Sequence, residues 1–298
     1  MRTFSIFFLS LICTKSIYSQ NNQTKSVTFY KHITQALTLY LTVGYNADKI
    51  VEKNTINSQQ LYLDAEKFRN KYSKAMSNLK KAIGTDNSYN EVVKLIPLTK
   101  IDEYYQKFPI TEATTINYIS KIKQYLDGSS QEEGFRSLLI FQYLEKPTDE
   151  FGDNFTNLFN TTNNTKSKTT KWTIRYPKSW KLSESDRPNS ICTIRNESDS
   201  LQSFAMVTLR VDEISQVSQD YATAVFAKTL IPKDAKVIEY KKLNIENCPS
   251  GSIEYLLTQS DPNNKANSKF IHYYFVYGKK LYSVYCGCIM AGINKSII

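Results

Sequence analysis

Four cysteines in the second half of the sequence are its most reactive side chains. Cys192, Cys248, Cys286 and Cys288 would remain in an exported chain, whereas Cys13 lies in an apolar N-terminal run. An even number of cysteines in an exported protein is typical of disulfides. Cys286 and Cys288 share one face of a predicted strand, so we expect one of them to pair with Cys248, and free buried thiols are the alternative. A four-cysteine zinc site needs two closely spaced pairs, so we predict no metal site.

Acid–base chemistry would have to come from the two histidines or from neighbouring carboxylates. His32 has no acidic residue at the spacing of a di-metal bundle, which indicates an ordinary helix residue. His272 and Cys286 are expected on opposite faces of a hairpin, which disfavours a thiol dyad. Glu132 and Glu133 fit the first turn of a helix, where negative charge complements the helix dipole. The sequence lacks the known nucleophile and phosphate-loop motifs, so we predict no catalytic residue, no cofactor and no enzyme activity.

The first nineteen residues have the pattern of an export signal. Arg2 precedes the apolar run Phe4–Ile12, and the small residue Ser19 stands at the end of the segment. The run is too short to cross about 30 Å of hydrocarbon. We therefore predict cleavage after Ser19 and an exported protein, either periplasmic or secreted. A lipid anchor at Cys13 and an uncleaved membrane anchor are the alternatives.

Composition favours two folded domains. The chain has 298 residues, 41% of them apolar and 22% charged, which is typical of globular rather than disordered proteins. Its formal net charge is +10, and the excess lies mostly in residues 151–298, with 19 basic and 13 acidic side chains. No run of five basic residues occurs, so we expect no nucleic-acid partner. An anionic surface is the alternative use of the charge.

Residues 20–150 are predicted to form an all-helical domain. Apolar residues recur at three- and four-residue spacing, which places them on one helix face. Strand periodicity is absent from this part of the sequence. We expect five helices. They are one over Val27–Tyr45, one from a capping box at Asn57 and Gln60 to Gly84, one from Ser88 that Pro97 must kink or split, one over Thr111–Leu126 with Ile116 on its buried side, and one opened by Ser130 and Glu133.

Residues 151–170 are rich in Asn and Thr and are predicted to be a linker. After this stretch the apolar pattern changes to period two, which indicates strands. We expect strands over 172–176, 191–194, 204–211, 236–245, 252–258 and 270–288, with a helix around Tyr221–Leu230. The overall prediction is α+β: a helical bundle followed by an antiparallel sheet domain, residues 171–298, with a packed helix.

The second domain resembles PsbP-like (PsbP/Mog-type) domains. The similarity rests on Trp-Thr-Ile-Arg-Tyr-Pro-Lys-Ser-Trp at 172–180, on the strand that ends at Val211-Asp212, and on the later order of elements. The resemblance implies an antiparallel sheet with helices on its faces and a non-catalytic accessory or binding role. Such domains commonly finish with a helix after the last strand, and here only 290–298 follow it. The photosystem role of plant members is not carried over to this chain.

A hairpin turning at Gly278-Lys279 allows a residue-level prediction. A two-residue turn sets Phe275 opposite Tyr282 and Ile271 opposite Cys286. One face would then be a core face. The other would be a tyrosine-rich polar surface that contains the candidate interaction residues, which are His272, Tyr274, Ser283 and Tyr285. We expect the first domain or a partner to cover this surface, and an open ligand site is the alternative.

These patterns predict an exported, non-enzymatic binding or assembly accessory protein. Its expected partner is another protein or a component of the cell envelope. Two other functions remain open. One is an extracytoplasmic hydrolase with a site that no motif reveals, and the other is a carrier of a small apolar ligand in the helical domain.

Overall fold

The protein is described here from a computed structural model. The structure describes residues 4–5, 27–162, 164–167, 171–185, 187–196, 205–258 and 267–290. Cleavage after Ser19 and a lipid anchor at Cys13 lie outside the described residues and stay predictions. The fold is α+β, with helices followed by antiparallel sheet, as the sequence predicts. Among the described residues, 27–156 and 177–179 form a helical unit, and those within 157–176 and 180–290, with 4–5, form a sheet unit.

The described part of the helical unit contains eight helices. They are α1 (Val27–Val51), α2 (Ser58–Lys71), α3 (Ser73–Ile83), α4 (Asp86–Lys94), α5 (Thr99–Lys107), α6 (Glu112–Leu126), α7 (Glu133–Gln142) and α8 (Asp149–Gly152). Helix α1 packs along α7 and α2, and α2 packs along α6. Ala36 and Ala47 of α1 are fully buried. Because alanine is small, these positions let the neighbouring helices approach α1 closely.

The core of the helical unit is rich in aromatic rings. Phe68 lies 5.0 Å from Tyr72 and 5.7 Å from Tyr125, measured between ring centroids. Phe135 lies 5.4 Å from Tyr125. The Tyr72 hydroxyl donates to the Tyr125 carbonyl oxygen at 2.6 Å, so this buried polar group is satisfied. Such offset and tilted rings fill the core and stabilise one packing arrangement.

The predicted second helix is two helices in the structure. It breaks at Tyr72, where φ is −101° and ψ is 16°, and α3 starts at Ser73. Both helices keep their apolar residues on the same core, so the spacing in the sequence does not reveal the break. The capping box at Asn57 is also wrong. The Asn57 amide donates to a Glu112 carboxylate oxygen instead of capping α2.

Other helix ends differ in similar ways. Helix α4 is capped by Thr85 rather than opened at Ser88, and Pro97 separates α4 from α5, as the sequence predicts. Helix α6 follows Thr111, as predicted, although Ile116 is 51% exposed rather than buried. The predicted box of Ser130 and Glu133 is wrong, because the Ser130 hydroxyl accepts from the Glu132 backbone N–H. These differences lie at helix termini, where side chains compete for the same unsatisfied N–H groups.

The sheet unit contains ten strands among its described residues. They are β1 (Phe4–Ser5), β2 (Thr156–Asn160), β3 (Trp172–Pro177), β4 (Lys181–Glu184), β5 (Ser190–Arg195), β6 (Ala205–Glu213), β7 (Lys236–Lys242), β8 (Ser250–Thr258), β9 (Asn267–Tyr277) and β10 (Lys280–Met290). The larger sheet is antiparallel with the order β4-β5-β6-β10-β9-β8-β7. A smaller sheet has the order β1-β3-β2. Two 3-10 turns, at Thr165–Ser167 and Gln219–Ala222, and helix α9 (Ala224–Thr229) complete the unit.

Part of the predicted linker is ordered structure. Strand β2 and the 3-10 turn Thr165–Ser167 lie within residues 151–170, and Thr161 and Ser167 are buried. The sequence also gave no indication of β4. A short edge strand with polar side chains has no alternating apolar pattern, so periodicity does not detect it. No helix among the described residues is long and apolar enough to span a membrane.

The predicted hairpin register is confirmed. Phe275 lies opposite Tyr282, and Ile271 lies opposite Cys286, on either side of the turn at Gly278-Lys279. The predicted core face is also confirmed, because Phe275 and Tyr282 stack at 4.7 Å and pack with Val284 against apolar residues of β3, β5 and β6. The two-residue turn and the alternation of the strands determine this register.

Candidate functional site

Three of the four predicted interaction residues are buried, and Tyr285 is partly exposed. His272 and Ser283 are fully buried, and Tyr274 is 1% exposed. Helix α9 of the same unit packs on this face, with the rings of Phe226 and Tyr274 at 5.6 Å. The sequence predicts this helix but not which part of the sheet it covers. The face is a second core rather than a free surface.

The sheet places the candidate residues in two neighbouring rows. In one row, Thr208 of β6 lies opposite Tyr285 of β10, which lies opposite His272 of β9. In the next row, Ser283 lies between Arg210 of β6 and Tyr274 of β9. Residues that are directly opposite share a face of the sheet. The four predicted residues therefore do come together, and Arg210 joins them.

His272 is a neutral imidazole held between aromatic rings. Its ring stacks on Tyr285 at 3.9 Å and meets the edge of Tyr274 at 5.9 Å. Neither ring nitrogen has a hydrogen-bond partner among the described residues. Burial, together with the smaller effect of the Arg210 charge, lowers the pKa of His272 to about 3, and Asp212 opposes both. Because the ring is uncharged at neutral pH and bonds to no acid, this arrangement favours packing over proton transfer.

Ser283 and Tyr285 are also in their neutral forms. The Ser283 hydroxyl is buried and has no hydrogen-bond partner among the described residues. The pKa of Tyr285 is raised, mainly by burial, with the Arg210 charge acting in the opposite direction. Burial also raises the pKa of Tyr274, and the nearby Tyr240 adds to this. A cluster of buried, uncharged polar groups supplies no nucleophile at neutral pH.

Sequence reasoning missed the ion pair of Arg210 and Asp212, which lies at the edge of this cluster. Arg210 donates to Asp212 through Nε at 2.7 Å and through Nη2 at 2.8 Å. The Asn189 amide donates to the same carboxylate at 2.7 Å. The signal was the Arg-x-Asp spacing, since residues two apart on a strand share a face. The paired geometry orients the guanidinium near His272, where its charge adds to burial in lowering the pKa of the imidazole.

Cys192, Cys248 and Cys286 are free thiols, so the expected disulfide with Cys248 is wrong. Cys286 lies in the row of the sheet that contains Glu254, whereas Cys248 comes just before Ser250 at the other end of β8. Four residues at about 3.3 Å each place Glu254 about 13 Å from Ser250. A disulfide needs Cα atoms within roughly 7 Å. The alternative interpretation, free thiols, is the one observed.

The thiols are poor nucleophiles where they are most buried. Burial raises the pKa of Cys192 and of Cys286 to about 12. Burial also raises the pKa of the more accessible Cys248. Thiols rather than thiolates are therefore present at neutral pH, and the thiolate is the reactive form.

Glu150 is the most unusual ionisable group in the helical unit, and no sequence signal marked it. Its carboxyl group is fully buried, accepts from the Ser179 backbone N–H at 2.7 Å and bonds the Ser179 hydroxyl at 2.6 Å. Burial raises its pKa to about 8, although the bonds from Ser179 and the nearby Lys178 oppose the shift. At neutral pH the group is therefore mostly protonated.

Segment Pro177–Ser179 is part of the helical unit and is tied to it at several points. The Lys178 backbone N–H donates to the Phe155 carbonyl oxygen at 3.0 Å, and Lys178 Nζ donates to the Gly128 carbonyl oxygen just after α6. Arg136 of α7 donates to the Ser179 carbonyl oxygen at 3.3 Å. Burial lowers the pKa of Lys178, and Asp127 and Glu150 oppose this. The segment is thus fixed by polar contacts as well as by Glu150.

The remaining ionisable residues singled out in the sequence have structural contacts. His32 is 2% exposed, and its Nδ1 lies 2.9 Å from the Ser137 hydroxyl, which donates to Gln35 at 3.0 Å. Glu132 accepts from the Tyr125 hydroxyl and pairs with Lys121. Glu133 pairs with Arg136 in the first turn of α7. The two glutamates hold different partners and form no shared acid–base site.

Helix α5 carries an exposed group of side chains that we call the α5 strip: Lys100, Tyr104, Lys107 and Phe108. The rings of Tyr104 and Phe108 lie 4.9 Å apart, and each residue is 55% exposed. Helix α5 has no buried residue. The spacing of apolar residues does not reveal this exposure, because exposed aromatic residues look the same as core residues in a sequence.

No family model matches the chain, and no curated protein matches it. Within the described residues, no group of three or more His, Cys, Asp or Glu side chains is arranged to hold a metal ion. The geometry of the chain's own residues is therefore the basis for a functional proposal.

Proposed function

We propose that this chain is an exported, non-enzymatic accessory protein that binds another protein or a component of the cell envelope. The observation that carries the proposal is the exposed aromatic pair Tyr104 and Phe108, whose tilted rings contact each other in solvent. Aromatic side chains with polar edges are enriched at protein interfaces. An exposed pair of this kind is typical of a docking surface rather than of a solvated helix.

The sheet unit serves in this proposal as a rigid PsbP-like scaffold. An antiparallel sheet with α9 packed on one face is the arrangement that the resemblance implies. A neutral, buried His272 favours a structural role for the face that carries it. The paired contacts of Glu132 and Glu133 with separate cations support the same interpretation of the helical unit.

Two experiments test the proposal in the cells from which the gene comes. Fractionation and intact mass spectrometry should find the full-length gene product outside the cytoplasm, shortened by residues 1–19. A photo-reactive phenylalanine analogue placed at one exposed site at a time should give discrete crosslinked products. The sites are Tyr62, Leu95, Tyr104, Phe108, Val225 and Tyr277. A cytoplasmic protein, or one that gives no product at any of these positions, contradicts the proposal.

A further inference from the structure

We infer that the α5 strip is the docking surface for an acidic segment of a partner protein that also carries apolar side chains. The inference rests on the proposed function and specifies the chemistry of the partner.

The opposite side of α5 holds the helix in place. The Tyr105 hydroxyl donates to Asn46 at 3.0 Å, and the Asp102 carboxylate accepts from the Tyr45 hydroxyl at 2.7 Å. Lys49 lies 3.3 Å from the same carboxylate. These contacts to α1 fix the rotation of α5 about its axis. The outward direction of the strip is therefore determined by bonds on its inner side.

Helix geometry gathers two lysines beside the exposed rings. At about 100° per residue, Lys100 lies about 40° and Lys107 about 60° round the helix from Tyr104, on the same side. Both lysines are exposed, and neither makes an ion pair within the described residues. Glu103 lies about 100° from Tyr104 on the side of the lysines, about 40° beyond Lys107. Asp102 is occupied by Lys49 and Tyr45.

The charge and size of the strip identify the occupant. Two unpaired cations beside two rings complement a segment that supplies both carboxylates and apolar side chains. A second copy of this chain would bring the same positive charge to the contact. Membrane binding by basic clusters usually takes about four to eight Lys or Arg residues, and interfacial helices are commonly longer than the nine residues of α5. The observations therefore favour a protein segment.

Leu95 is a further exposed apolar residue, close in sequence to the strip. It stands at the end of α4, is 81% exposed and precedes the turn at Pro97 that leads into α5. Rings held by a fixed helix lose little conformational freedom on binding, so they are suited to be binding hot spots.

A binding assay with defined probes tests the inference on the full chain. The probe is a fluorescein-labelled peptide of alternating glutamate and phenylalanine, measured by fluorescence anisotropy at low salt. One matched peptide has lysine in place of glutamate, and another has serine in place of phenylalanine. We expect the acidic aromatic peptide to bind at least tenfold more tightly than either matched peptide. Phe108→Ser, and Lys100→Glu combined with Lys107→Glu, should each weaken its binding at least tenfold.

Matched variants elsewhere in the helical unit serve as controls. Tyr62 is 49% exposed and Lys53 is exposed, and both lie outside the strip. Tyr62→Ser and Lys53→Glu should leave peptide binding within twofold of the original protein. Circular dichroism of every variant should match the original spectrum, because all of these side chains are exposed. Peptide binding that the strip variants leave unchanged overturns the inference.

The same variants also test whether the strip binds a membrane or a nucleic acid instead of a protein segment. Strip-dependent binding of phosphatidylglycerol vesicles or of single-stranded oligo-dT, without strip-dependent binding of the acidic peptide, also overturns the inference. Crosslinks at Val225 or Tyr277 without any at Tyr104 or Phe108 would overturn the docking surface while leaving the proposed function in place. Absence of crosslinks at every position would contradict the proposed function itself.

Discussion

Replacing the buried Glu150 carboxyl group with an amide should remove a large pH dependence of stability from the helical unit. In Glu150→Gln the side-chain carbonyl still accepts from the Ser179 N–H, and the Ser179 hydroxyl, which donates to Glu150 in the original protein, can rotate to accept from the amide NH2 group. The substitution therefore keeps the shape and the bonds but abolishes the titration.

The expected size follows from the difference between the folded and unfolded pKa of Glu150. That pKa is about 8 in the fold and 4.5 in the unfolded chain. Below pH 4.5 both states hold the proton, and the original protein has its full stability. Between pH 4.5 and about 8 the unfolded state has lost the proton while the folded state keeps it. The free energy of unfolding therefore falls as pH rises over this range, and the loss is complete above pH 8. At about 1.4 kcal/mol per pH unit, the loss is about 4 to 5 kcal/mol.

Urea unfolding at pH 5 and at pH 9 measures this effect. Circular dichroism at 222 nm is the appropriate signal, because it reports helices and both tryptophans, Trp172 and Trp180, lie in the sheet unit. At pH 5, Glu150→Gln should match the original protein within about 1 kcal/mol. At pH 9 it should be more stable by several kcal/mol.

A surface glutamate provides the control. Glu145 is 42% exposed and lies 3.8 Å from Lys74 and 3.6 Å from Lys81. Such exposed pairs contribute about 0 to 1 kcal/mol, so Glu145→Gln should change stability slightly at both pH values. The reasoning is refuted if Glu150→Gln and the original protein have parallel pH profiles, or if the variant is the less stable protein at pH 9.

Three further substitutions test the packing. His272→Phe should stabilise the protein by about 1 kcal/mol in thermal melts, because two buried nitrogens without partners are removed; a loss above 2 kcal/mol contradicts this. Gly128→Ala should cost about 2 kcal/mol or more, since φ is +78° and a Cβ would lie 2.2 Å from the Phe155 ring, whereas Gly152→Ala meets no atom within 4 Å. Tyr72→Phe should cost about 1 to 2 kcal/mol in urea unfolding, because a buried carbonyl oxygen loses its donor; no change would refute the role of that bond.

The register of the hairpin was predictable because two local rules determine it. A two-residue turn at Gly278-Lys279 sets the pairing, and alternation then assigns each side chain to a face. The same rules predicted Phe275 and Tyr282 on the core face, which the structure confirms. The helical character of the first half was predictable in the same way, from spacing alone.

The burial of His272 was not predictable from the hairpin. His272, Ser283 and the tyrosines give their face a polar character, and alternation does not say what packs on it. What packs on the face depends on contacts between distant parts of the chain, such as the contact of Phe226 in α9 with Tyr274. Glu150 illustrates the same limit. Its bonds to Ser179 join residues 29 positions apart, so nothing beside it in the sequence marks it as buried.

The segment Pro177–Ser179 limits where the chain can be truncated without disturbing the helical unit. A fragment that ends at Thr156 keeps every described helix of the first unit but lacks Ser179, which would leave the Glu150 carboxyl group exposed to water or buried without its donors. The helical unit is therefore discontinuous in sequence, and its last piece is reached only after β2 and β3 have been made. During synthesis, the first unit completes its contacts after the second has begun to emerge.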